Sequence, residues 1–268
     1  MENKKTNASI IEILKIYGYV MKLNLKKRKR DMNLIDKEYN SGKWNRPVEQ
    51  IDFETIFGNY DRKDTDEFSI FSINDQLKKI KRRQFEELYQ KEFLSFFKNY
   101  TQDQIIELGC GLGANLFGLY NNGFKNLNGC DVSNNAINNL KEYTRMKKIN
   151  IDFFVHDLNN QFPQNTLDGK IVFTKTVMEQ CKHIMPKVLQ NICNGNPKIV
   201  IHFEVNYDSA SLLVRKYCDA RDYQNNLIKE LKKLEKQKNI DILAIEKLKY
   251  QGSPVNKLSV VIWKPVSR

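Results

Sequence analysis

Ile105-Ile106-Glu107-Leu108-Gly109-Cys110-Gly111-Leu112-Gly113 is an apolar run that closes on three alternating glycines. The run reads as a buried strand, and the glycines as a turn that opens a helix while letting backbone and ligand approach closely. Asp131 follows Gly109 by 22 residues, at the end of a second apolar run, where a carboxylate can accept hydrogen bonds from both hydroxyls of a ribose. Asp157 ends a third run in His156-Asp157-Leu158. Polar groups in a row at the carboxyl ends of neighbouring strands mark the ligand crevice of an open parallel sheet. The turn alone is ambiguous, because Gly109-x-Gly111-x-x-Ala114 also meets the loose dinucleotide-binding fingerprint.

Outward from this stretch the chain alternates short apolar runs with helical periods. Strands are expected at 104–110, 127–132, 151–158, 170–174 and 198–205, then at 241–248 and 258–263. Helices are expected from about Ala114, at 134–148, at 177–193 and as one long helix over 209–238. Such alternation predicts an α/β, doubly wound Rossmann-like sheet, mostly parallel and covered on both faces. Gln251-Gly252-Ser253-Pro254 is too short for a covered crossover, so the last strand should run antiparallel. Upstream, apolar residues from Leu77 to Tyr100 predict a single helix over 74–100. The expected division is an N-terminal helical arm or lid, 1–102, and a catalytic domain, 103–268.

Three features separate the readings of the turn: Glu107 two residues before the first glycine, the G-x-G-x-G spacing, and a chain that ends in a hairpin. Here the sequence resembles the class I S-adenosylmethionine-dependent methyltransferases. E-L-G-C-G-L-G matches their first motif, Gly129-Cys130-Asp131-Val132-Ser133 their second and Val155-His156-Asp157-Leu158 their third. The resemblance spans roughly residues 103 to 265. It implies S-adenosyl-L-methionine as cofactor and S-adenosyl-L-homocysteine as product. Gly109, Cys110, Gly111 and Gly113 would lie against the methionine part and Glu107 would fix the turn. Asp131 with Val132 would hold the ribose, and Asp157 with Leu158 would read the adenine. Thr174, and Tyr39, Trp44 and Arg46 from the arm, complete the expected cofactor shell. The two rings are equally readable as packing against the first helix.

The methyl acceptor is expected above the fourth and fifth strands. No Asn-Pro-Pro-Tyr turn or Pro-Cys nucleophile follows Phe173, which weakens base methylation. An alcohol acceptor needs a base, and the candidates in order are His183, Glu204, His202 and Glu179. Glu179 and His183 are expected four apart on one helix, His202 and Glu204 two apart on one strand. Ile201-His202-Phe203-Glu204, Val214-Arg215-Lys216-Tyr217 and the 222–227 segment resemble a bacterial methyltransferase subgroup associated with capsule, lipopolysaccharide and other surface-glycan biosynthesis. Val205 stands where a proline is commoner in that group. The resemblance implies O-methylation of a sugar, phosphate-bearing or nucleotide-linked precursor, for which Lys175, Arg215, Lys216 and Arg221 are candidate anion partners. An RNA methyltransferase and a non-catalytic scaffold are the alternatives.

Composition sets the frame. The chain has 268 residues, 41% apolar and 28% charged, and 44 Lys and Arg against 32 Asp and Glu leave +12. That balance favours anionic partners. Five scattered cysteines without a C-x-x-C spacing argue against disulfides or zinc and for a reducing cytoplasm, and no metal site is expected. Ile10 to Leu25 is too interrupted by Glu12, Lys15 and Lys22 for a signal or a span. Lys26 to Arg30, five consecutive cations, reads as a solvated helix end, or as a weak membrane-surface or a nucleic-acid contact.

Overall fold

The computed structural model describes residues 6–26, 37, 47–53 and 67–266. Its N-terminal part holds strands β1 (Thr6–Asn7), β2 (Phe68–Ile73) and β3 (Gln76–Lys81) and helices α1 (Ile10–Asn24) and α2 (Arg82–Ser95). Ser9 and Glu12 form a capping box that starts α1. The helix expected over 74–100 is corrected: its first third is half of a β-hairpin. Asn74 and Asp75 both take positive φ, 50° and 63°, as a two-residue mirror-image turn requires, and Ile73 pairs with Gln76 across it.

The large sheet contains β4 (Ile105–Leu108), β5 (Leu127–Asp131), β6 (Asp152–Val155), β7 (Ile171–Lys175), β8 (Ile199–Val205), β9 (Ile240–Lys247) and β11 (Leu258–Pro265), with β10 (Tyr250–Gln251) between the last two. Its order is β6-β5-β4-β7-β8-β11-β9. The pairs from β6 to β8 are parallel, and β11 runs antiparallel to both of its neighbours, as expected for the final strand. The strand order reverses between β4 and β7, so the carboxyl ends of these two strands flank the crevice where such sheets take ligands. β10 pairs instead with β2, giving a second sheet of order β1-β3-β2-β10.

Helices α3 (Ala114–Asn121) and α4 (Asn134–Lys147) share one face of the large sheet with α2. Leu116, Leu119, Ile137 and Leu140 join Phe93 and Phe97 against Ile105, Phe173 and Phe203. The opposite face buries Ile106, Val172 and Val200 under α5 (Met185–Asn194) and α7 (Leu227–Lys236). Two expected helices are shorter than the periodicity suggests. Residues 177–193 divide into a 3-10 turn, Met178–Gln180, and α5, because Pro186 has no N–H to give a preceding turn and sits in the first turn of α5. The expected helix 209–238 is α6 (Leu212–Arg221) and α7, interrupted where Asp222 turns left-handed, φ 54°.

Candidate functional site

Gly109, Gly111 and Gly113 all have positive φ, 73°, 52° and 76°, which a side chain would strain. A Cβ on Gly109 would also run into Val177, so the turn and the segment after β7 pack without room between them. Gly109 and Cys110 both donate to the Cys130 carbonyl, at 2.7 and 2.9 Å, and the Cys110 thiol is buried. Asp131 reaches across from β5: its Oδ2 accepts from Gly111 N at 2.8 Å and its Oδ1 from Ser133 N at 2.9 Å. Burial raises its carboxyl above the usual range against the pull of these amides.

Glu107 is buried at the end of β4. Its Oε1 accepts from Asn115 Nδ2, and the Asn115 Oδ1 accepts from Lys175 Nζ at 2.7 Å. Its Oε2 is buried without a hydrogen-bond partner. Burial pushes the carboxyl up to about 8, opposed by Asn115 and Lys175. Lys175 lies over the rings of Tyr89 and Phe93, 4.8 and 5.2 Å from their centroids. At the third strand end, Asp157 Oδ1 accepts from Asn159 N at 2.8 Å, while Asn191 Nδ2 donates to the carbonyls of Leu158 and Asn160. His156 stacks on Phe162 with centroids 4.1 Å apart. Val132 is half-buried beside Asp131.

Thr174, His202 and Glu204 form one buried cluster, on the face opposite Glu107. Glu204 Oε1 accepts from Thr174 Oγ1 at 2.9 Å and from the N–H groups of Val177 and Met178 at 2.9 and 3.1 Å. Since the single hydroxyl proton of Thr174 goes to Glu204, the 2.8 Å contact with His202 requires Nδ1–H of His202 to donate. Burial keeps His202 neutral, holding it down at about 3. Burial, with Glu179 nearby, pushes Glu204 up to about 8.

Glu179 and His183 do not share a helix, correcting that expectation. Glu179 is buried in the 3-10 turn, with Asn256 Nδ2 donating to its Oε2 at 3.2 Å. His183 is exposed, with Nε2 3.5 Å from Asp222 Oδ2, and Lys182 Nζ is 2.6 Å from the other Asp222 oxygen. Three candidate anion partners are engaged within the chain. Lys175 bonds Asn115, Arg215 donates to the carbonyls of Asp208 and Ala210, and Arg221 donates to Tyr223. Tyr39, Trp44 and Arg46 lie outside the described residues, as do Lys27 to Arg30. The sequence reading passed over Asn115 and took Asp222 and Gln224 only as part of the 222–227 resemblance, with no role of their own. Gln224 is the buried joint of the α6–α7 break: Nε2 donates to Val205 O, and Oε1 accepts from the N–H groups of Asn226 and Leu227.

The unpartnered Glu107 oxygen, the cationic Lys175 beside it and the Asp131 carboxylate fit a zwitterionic amino acid joined to a ribose, so the residues present suit an adenosyl-amino-acid cofactor. Among the described residues no cluster suited to a metal ion occurs, and no helix is long and apolar enough to cross a membrane.

Residues 105–194 match the family model of a methyltransferase domain. No curated protein matches the chain in sequence. In structure the chain is similar to magnesium protoporphyrin IX methyltransferase from Synechocystis PCC 6803 with bound SAH, at 11% identity, TM-score 0.56, over 88% of this chain and 100% of that one. A protein from Pyrococcus horikoshii OT3 matches at 18% identity, TM-score 0.51, over 69% and 92%. Geranyl diphosphate C-methyltransferase from Streptomyces coelicolor A3(2) matches at 10% identity, TM-score 0.51, over 69% and 82%. At these identities the likeness is one of fold. Residues 105–194 thus match a methyltransferase-domain model, and the fold around them is similar to that of solved methyltransferases.

Proposed function

We propose that the chain moves the methyl group of S-adenosyl-L-methionine to a hydroxyl oxygen of a sugar-, phosphate-bearing or nucleotide-linked precursor of a bacterial surface polysaccharide. The observation that carries the transferase reading is the buried Glu107 oxygen left without a partner beside Lys175 and Asp131 at the strand-order reversal. When bound, the cofactor supplies an electrophilic methyl on a sulfonium. The chain's own residues hold its ends: Glu107 and Lys175 border the amino-acid part, Asp131 meets the ribose, and Asp157 with Leu158 borders the adenine. The acceptor class rests on the surface-glycan resemblance of 201–204 and 214–217. We assign residues 103–268 to the catalytic domain and 1–102 to the arm.

His183 is the base this reading favours. Its Nε2–H faces Asp222, which leaves Nδ1 free to take the acceptor's proton. Glu204 Oε1 is saturated by three donors and His202 is locked as a donor to Thr174, so both act as positioning residues. Calorimetry with S-adenosyl-L-homocysteine and transfer of labelled methyl to a panel of nucleotide-linked sugars test the proposal. Expected are binding that Asp131→Asn weakens, label on a sugar hydroxyl, and a loss of roughly 10²–10⁴ in kcat for His183→Ala at unchanged product-cofactor affinity. Absence of binding overturns the cofactor reading, label only on RNA overturns the acceptor, and an unchanged kcat overturns the base.

A further inference from the structure

Helix α1 has three distinct sides. Ile13, Ile16, Val20 and Leu23 are its more buried positions, where it packs on α6, and Asn24 donates to the Lys216 carbonyl there. A second side carries Ile10, Leu14, Tyr17 and Met21 at steps of four, three and four, with Leu25 following. These are 77%, 62%, 51%, 53% and 86% exposed. A third, next to the apolar stripe, carries exposed Lys15, Lys22 and Lys26. The only carboxylate on the helix, Glu12, is tied at 2.9 Å to Lys79 and to the Ser9 N–H.

We propose that this face of α1 docks on an anionic lipid bilayer, with the stripe sunk into the boundary between headgroups and acyl chains and the lysines directed at lipid phosphates and carboxylates. The helix has 15 residues and no helix among those described is long enough to span, so it lies in the interface plane. An apolar stripe bordered by cations is an arrangement that partitions there. Charge decides between this occupant and a second copy of the chain. Two stripes face to face would bring Lys15, Lys22 and Lys26 of each copy together with no free carboxylate on either α1 to offset them, in a chain of net charge +12.

Co-sedimentation of the full chain with vesicles tests this. The chain should pellet with phosphatidylcholine vesicles that include phosphatidylserine, stay in solution with phosphatidylcholine alone, and release as salt is raised. Reversing Lys15, Lys22 and Lys26 to Glu should weaken binding at least about a hundredfold, from the usual contribution of each surface cation. Leu14→Glu with Met21→Glu should abolish it with circular dichroism and melting unchanged. Should that pair misfold, the exposed lysine variant decides. No pelleting with anionic vesicles at low salt, or pelleting indifferent to both variants, overturns the proposal. So does a dimer in light scattering that Leu14→Glu dissociates.

Discussion

Glu204 shows how one buried carboxyl ties two strands and a turn together. Its Oε1 gathers Thr174 and the amides of Val177 and Met178, and Val177 in turn packs on Gly109 of the nucleotide turn. Replacement by Ala strands three donors, at a cost of about 3 kcal/mol or more, whereas Gln retains the accepting oxygen and should cost far less. The raised carboxyls of Glu107 and Glu204 give this region a pH signature. Each keeps its proton when folded up to about 8 but loses it when unfolded near the ordinary 4.5. Stability therefore falls as pH rises across that interval and levels off above it. His202, held near 3, works oppositely, losing stability as pH drops below its ordinary 6.5. The carboxyl effect is thus isolated between pH 6.5 and 8, where each group should lower stability by about 1.4 kcal/mol per pH unit. Denaturant unfolding across that window should show the decline, and Glu204→Gln should reduce its slope. An equal slope in the variant would count against a protonated Glu204.

At the scale of elements, the sheet was readable because buried parallel strands are short continuous apolar runs, and three of them close on the acidic residues proposed for the crevice: Glu107, Asp131, Asp157. Periodicity failed where turns or breaks hide inside it. Gln76–Lys81 places Leu77 and Ile80 three apart, which mimics a helix, and the informative signal was the Asn74-Asp75 turn after the alternating Phe68–Ile73. Pro186 offered a comparable signal inside 177–193. Asp222 offered none, because nothing local marks a left-handed Asp whose break is held by Gln224 reaching Val205. Of the Glu204 cluster the sequence showed only that His202 and Glu204 share a strand face; the links to Thr174 and to the amides of Val177 and Met178 come from another strand and a turn. Packing between elements is also tight at Gly129 in β5, where an added Cβ would come within 2.6 Å of Leu116 in α3 and 3.0 Å of Cys110 Sγ. Gly129→Ala should destabilise by about 1–3 kcal/mol through overpacking. Leu116→Ala makes the missing room, so a double-mutant cycle should return a favourable coupling between the two substitutions. Strict additivity of their denaturation midpoints would contradict this packing.

Across the whole molecule, the two sheets are joined at the connection between β9 and β11 rather than at residue 103 alone. β10 completes the small sheet, and Asn74 N donates to the Lys249 carbonyl at 2.9 Å. From α2, the Glu92 carboxylate accepts from Lys249 N at 2.8 Å and Tyr250 N at 3.0 Å. Asp75 at the hairpin tip pairs with Lys247 and Lys257, contacts too exposed to contribute much. Glu92 is therefore the residue through which the N-terminal hairpin and the end of the large sheet should open as one unit. Glu92→Ala leaves two N–H groups without their acceptor and should cost about 1–2 kcal/mol, moderated by partial exposure. Hydrogen exchange is the discriminating measurement, because amides of 68–81 and of 247–258 should lose protection together and by similar factors. Faster exchange in only one of these segments would mean that the hairpin rides on the catalytic sheet without sharing its stability.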